Sequence, residues 1–126
     1  MQNSKPNILL VEDDPAIGAA VCKFLQVSSF APVLCGTAAE AFAAIESITP
    51  DAVVTDVHLP DINGLVLTQK LRERFGPDLP IIVLSGDTST EVLKSLTHVG
   101  ATYFLNKPVN LEVLREKLSD YLQPTP

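Results

Sequence analysis

The 126-residue chain has no tryptophan, two tyrosines, one methionine and two cysteines. Cys22 and Cys35 form no C-x-x-C pair, which argues against a dithiol redox motif or a metal knuckle, and they make no disulfide framework. They read as small, partly buried thiols of a reducing compartment. No apolar run approaches the ~18 residues needed to cross a bilayer. The opening Met1-Gln-Asn-Ser-Lys-Pro6 is polar and lacks the apolar centre of a secretory signal. These absences lead us to expect a cytoplasmic protein without a membrane partner. Positive charge is scarce too: nine Lys and Arg stand against fifteen Asp and Glu, a net charge of −6. That balance argues against direct nucleic-acid contact, which needs a basic surface.

What remains suits one domain over residues 1–126, with a core at about 6–122. The hydrophobic fraction is 46% and the charged fraction 19%, ordinary for a globular protein. A chain this long buries roughly two thirds of the surface it exposes when unfolded. Short apolar runs at Asn7–Val11, Ala31–Leu34, Ala52–Asp56, Ile81–Leu84 and Tyr103–Leu105 alternate with helical patterns. Three of these runs are continuously apolar rather than alternating, as expected for strands of a parallel sheet covered on both faces.

The helical patterns are Ile17, Ala20, Val21, Phe24, Leu25; Ala38, Ala41, Phe42, Ile45; Leu67, Leu71, Phe75; Val92, Ser95, Leu96, Val99; and Leu111, Leu114, Leu118, Tyr121, Leu122. Asp14-Pro15 offers an N-cap followed by proline at the first helical position. Thr37-Ala-Ala-Glu40 and Thr88-Ser-Thr-Glu91 both fit the capping box. The βα rhythm implies an α/β fold with right-handed crossovers and helices on both faces. The tail Gln123-Pro-Thr-Pro126 reads as weakly linker-like, so a downstream domain is compatible with it.

In such a sheet, ligands bind beyond the carboxyl ends of the strands. Glu12, Asp13 and Asp14 follow the first strand, Asp56 ends the third, Ser85 the fourth, and Lys107-Pro108 follow the fifth. Crowded carboxylates resist full ionisation, and a divalent cation such as magnesium relieves that crowding. Asp56 can then attack phosphorus to form an aspartyl phosphate, with Lys107 and Ser85 meeting the phosphoryl oxygens. Asp14 fits a helix cap better than a metal ligand. His98, near a helix end, reads as a favourable C-terminal charge when protonated.

Four stretches together resemble the response-regulator receivers of two-component signalling, chemotaxis regulators included. They are Ile8-Leu-Leu-Val-Glu-Asp-Asp-Pro15, Val54-Thr-Asp-Val-His-Leu-Pro-Asp-Ile-Asn-Gly64, Ile82-Val-Leu-Ser-Gly86 and Gly100-Ala-Thr-Tyr-Phe-Leu-Asn-Lys-Pro108. The resemblance implies a flavodoxin-like (βα)5 sandwich, a doubly wound five-stranded parallel sheet of order 2-1-3-4-5. It implies Asp56 as phosphoacceptor. Glu12 and Asp13 would hold Mg2+ or Mn2+ with Asp56, Asp13 directly and Glu12 through water. The backbone carbonyl of His58 would complete the set, its side chain lying exposed at the rim. Ser85 would be the switch hydroxyl, Phe104 the switch aromatic and Lys107 the phosphate-pairing lysine.

The implied partners are a histidine kinase or phosphotransfer domain and a downstream output domain or protein, with a monomer or a phosphorylation-dependent dimer. The domain would be a signalling switch that catalyses only its own phosphorylation and dephosphorylation. Glu12 stands where Asp is commoner, Ser85 where Thr is also common, and Gly86 leaves room beside the phosphoryl group. The switch ring at Phe104, after Tyr103, lacks a hydroxyl. The acidic residues usual in the fifth strand of receivers attached to winged-helix domains are absent.

Three other readings meet specific obstacles. A haloacid-dehalogenase-like phosphatase needs an acid two residues after its nucleophile, where His58 stands, and a cap insertion that is missing. A flavodoxin-like cofactor module needs an uncharged phosphate loop, and this first loop is acidic. A degenerate receiver that only binds partners would not need the intact acidic pair, Asp56, Ser85 and Lys107.

Overall fold

All five apolar runs are strands in the computed structural model, which describes residues 5–86 and 90–122. They are β1 (Asn7–Val11), β2 (Ala31–Cys35), β3 (Ala52–Asp56), β4 (Ile81–Ser85) and β5 (Tyr103–Asn106). Between and after them come α1 (Pro15–Val27), α2 (Ala38–Ala44), α3 (Gly64–Phe75), α4 (Thr90–His98) and α5 (Leu111–Leu122). The strands are parallel, in the order β2-β1-β3-β4-β5, the order that the resemblance implies. Three strands extend one residue beyond their apolar runs, because sheet pairing continues through Cys35, Ser85 and Asn106.

Alternate residues of the central strands feed two core layers. Leu9, Val11, Val53, Ile81 and Val83 pack with Ala41, Leu67 and Leu71, the layer under α2 and α3. Ile8, Leu10, Val54, Ile82 and Leu84 pack with Val21, Leu25, Leu114 and Leu118, the layer under α1 and α5. The helical patterns need local correction. In α1, Ile17 is exposed while Gly18 is buried, so the core-facing stripe is rotated from the one expected. Tyr121 is likewise exposed. In α4, Leu93 joins Val92 against the core while Ser95 is exposed.

The caps explain where the helices begin. Asp14 Oδ1 accepts the amides of Ala16 and Ile17 at 2.9 and 3.1 Å, as its N-cap position predicts. Thr37 Oγ1 accepts the Glu40 amide at 3.0 Å. Glu40 does not close the box on Thr37; its Oε1 accepts the Gly36 amide at 2.9 Å. The Thr88-to-Glu91 box includes positions 88 and 89, which lie outside the described residues. At the start of α3 a Cβ on Gly64 would overlap the carbonyl oxygen of Asp56. Only glycine lets this helix begin so close to the end of β3.

Candidate functional site

The winding of the sheet reverses between β1 and β3, and their carboxyl ends border the crevice this creates. Glu12 follows β1 and Asp56 ends β3. Both side chains are almost wholly buried, at 3% and 2% exposure. Asp13 beside them is exposed, and ligand oxygens from all three acids lie within 4.8 Å of one another. Lys107 reaches in from the turn after β5, its Nζ 2.9 Å from Asp56 Oδ1 and 3.7 Å from Glu12 Oε1. The Lys107 amide donates to the Ser85 carbonyl at 2.9 Å, which ties that turn to β4. The Lys107–Pro108 peptide is cis.

The acids are under-partnered for their burial. Glu12 Oε2 accepts the Asp14 amide at 3.1 Å. Among the described residues, no aligned hydrogen bond reaches Glu12 Oε1 or either oxygen of Asp56. Lys107 is the cation they share, one ammonium serving two buried carboxylates. Burial first, and then contact with Asp56, raise the Glu12 carboxyl above the usual carboxylate range. Burial acts against the charge on Lys107, but Asp56, Glu12 and Asp13 outweigh it and raise the ammonium's pKa. Buried carboxylate oxygens without donors, next to an exposed acid, are the donor set a hard divalent cation takes. The residues present fit such an ion.

Ser85 ends β4, and His58 follows β3 two residues after Asp56. They line a cavity of about 270 Å³ with Val57, Asn63, Val92 and Ser95, between the β3–α3 loop and α4. Ser85 is buried and the His58 side chain exposed, the latter as expected. Phe104 pairs with Val83 across the sheet and packs, partly buried, on the α3 and α4 side of the core. Tyr103 beside it is exposed, its ring stacked on that of Phe104 at 6.4 Å between centroids, and Lys117 Nζ stands 4.5 Å from its ring centroid. Cys35 is buried, its thiol pushed up to about 11 by burial and by Glu40.

The chain matches the family model for the response regulator receiver domain over residues 8–119. It belongs to the response regulator receiver family. Among curated relatives, the receiver is 36% identical to the response regulator MprA of Mycolicibacterium vanbaalenii, over 94% of this chain and 51% of that protein. It is 31% identical to a cyclic di-GMP phosphodiesterase of Thermotoga maritima, over 92% of this chain and 31% of that protein. The receiver thus spans about half, or less, of the length of these relatives. Among solved structures it resembles a CheY-like receiver domain protein from Methanospirillum hungatei, with TM-score 0.86 and 31% identity over 93% of both chains. It also resembles the chemotaxis response regulator CheY4 of Vibrio cholerae, with TM-score 0.84 and 29% identity over 94% of this chain and 99% of that one. Among the described residues, no helix is long and apolar enough to cross a membrane.

Two residues that position this receiver's loops escaped sequence reasoning. Asp61 caps α2 from a distant loop, and Arg72 joins two turns at the amino edge of the sheet. An isolated Asp in a Pro-Asp-Ile-Asn loop, or an Arg on a helix, carries no signal that names a partner more than twenty residues away.

Proposed function

We propose that this receiver is a phosphorylation-driven switch of a two-component relay, with Asp56 as the acceptor. The carrying observation is the Asp56 carboxylate, buried at the strand-order reversal and held by the Lys107 ammonium at 2.9 Å. A buried carboxylate facing a fixed cation, with space for a second one, is poised as a nucleophile. Asp13 and Asp56 would hold Mg2+ or Mn2+ directly and Glu12 through water, with the His58 carbonyl as a further ligand. When bound, that ion supplies charge neutralisation to the phosphoryl oxygens.

The donor is a phosphohistidine on a histidine kinase or phosphotransfer domain in the cytoplasm. An Asp56 oxygen bonds to phosphorus as the phosphorus–nitrogen bond breaks, and the histidine nitrogen keeps the electron pair. Lys107 follows the charge onto the phosphoryl oxygens, and Ser85 donates to one of them. The added charge, close to −2, biases a two-state surface. Ser85 moves toward the phosphoryl group, and Phe104 fills the space it leaves. Because that ring has no hydroxyl, it signals through packing alone. The readout passes to an output domain or a separate partner protein.

The test is incubation with Mg2+ and acetyl phosphate, followed by intact mass. Wild type gains one phosphoryl group and Asp56→Asn gains none. No gain on wild type, or the same gain on the variant, would overturn the proposal.

A further inference from the structure

We infer that Asp61 is a positioning residue for the acidic pocket: its carboxylate, docked on the first turn of α2, holds the β3–α3 loop and with it the His58 carbonyl. The inference rests on the metal reading proposed above.

Residues 57–63 link β3 to α3 without regular structure. Their ends are fixed: the Val57 amide donates to the Leu84 carbonyl at 3.1 Å, and the Gly64 amide donates back to the Val57 carbonyl at 2.6 Å. Asn63 Oδ1 caps α3 through the Leu65 amide at 2.7 Å. The stretch between, which contains His58, has a different anchor. Asp61 Oδ1 accepts the Ala38 amide at 3.0 Å and Oδ2 the Ala39 amide at 2.9 Å. Oδ1 also accepts the Ile62 amide at 3.0 Å, which closes the loop on itself. Among the described residues, these are the only hydrogen bonds from positions 58–62 to another element. Leu59 and Ile62 pack on the core, but apolar contact does not aim a carbonyl.

The anchor has a physical basis. Ala38 and Ala39 begin α2, where amides have no acceptor within the helix. Thr37 takes only the Glu40 amide, so two donors remain for a carboxylate fork, at the end of the helix that favours negative charge. The two amides, with the Ala38 contact the larger, hold the Asp61 carboxyl below the usual range. His58 thus lies between an amide anchored one residue before it and a carboxylate anchored three residues after it, with Pro60 stiffening the span.

The test is an Mg2+ titration of the full chain, followed through amide shifts by two-dimensional NMR, with thermal unfolding of the metal-free proteins alongside. Asp61→Ala is expected to weaken Mg2+ binding roughly tenfold, as loss of an outer support does at metal sites. Thr37→Ala removes a cap from the same helix without touching the loop, and should leave Mg2+ affinity within about twofold. Asp61→Asn keeps one acceptor oxygen but sets an NH2 donor against the other helix amide, and should recover only part of the loss. Wild-type affinity in Asp61→Ala overturns the inference. An equal loss in Thr37→Ala traces the effect to helix fraying, and a loss in Asp61→Ala relative to wild type that disappears at high salt traces it to long-range charge; either also overturns it. If wild type binds no Mg2+, the metal reading itself falls and takes the inference with it.

Discussion

Glu12 and Asp56 are each almost fully buried, and share one ammonium with few other partners. Without a cation this arrangement works against the fold. Burial, then contact with Asp56, raise the Glu12 carboxyl, so the folded state binds that proton more tightly than the unfolded chain does. Stability from this group therefore rises as pH falls through the raised folded value, and the penalty is fully present only above that value. In Glu12→Gln the charge is gone and the new amide can donate to Asp56. The metal-free variant is expected to be more stable than wild type by about 1 kcal/mol at pH 7, with the gain shrinking toward pH 4. Urea unfolding in chelator at the two pH values measures this, and a variant less stable at pH 7 contradicts it. Mg2+ at ten times its Kd should add about 1.4 kcal/mol to wild type and clearly less to the variant.

At the scale of elements, the turns at the two edges of the sheet are held by different chemistry. The carboxyl edge carries the acids. The opposite edge is held by Arg72 of α3. Its Nη1 donates to the carbonyls of Gly76 and Leu79 at 2.9 and 2.6 Å. Its Nη2 and Nε donate to the Gly100 carbonyl at 2.6 and 3.2 Å. One guanidinium thus joins the end of α3, the approach to β4 and the turn before β5. Gly100 allows this at φ 93°, and a Cβ there would meet the Arg72 side chain at 3.2 Å. Arg72→Met keeps an apolar stem and removes every donor, leaving three carbonyls short of a partner. A loss of about 2–4 kcal/mol is expected, with faster hydrogen exchange at Thr102, whose amide pairs with Ile81. A loss below about 0.5 kcal/mol in urea unfolding would mean that water replaces the guanidinium at little cost.

For the whole molecule, the sheet separates two apolar layers that share its strands. Leu71 is fully buried in one layer and Leu118 in the other. Leu71→Ala and Leu118→Ala should each cost about 2–5 kcal/mol, a large part of the 5–15 kcal/mol typical of a domain. Because β1, β3 and β4 contribute to both layers, either change should shift one cooperative urea transition. Far-ultraviolet dichroism and tyrosine fluorescence should then move together. Separate midpoints for the two probes would show that the layers unfold independently.

The strands, the helix starts at Asp14 and Thr37, and the strand-end placing of Glu12, Asp56, Ser85 and Lys107 were legible in sequence. Each depends on local rules: apolar runs, capping side chains and the direction of a parallel strand. Strand order came from the resemblance, since β-α alternation alone does not say which strands adjoin. Tertiary structure decided what local rules do not reach. It rotated the core face of α1 away from Ile17, turned Glu40 to Gly36, and brought Ser85 and His58 to the lining of one cavity. It also set Asp61 against α2 and Arg72 against two turns. A carboxylate or guanidinium takes whichever unpaired donors or acceptors folding brings within about 3 Å. That choice spans more than twenty residues of sequence, and only the packed sheet and its helices make it.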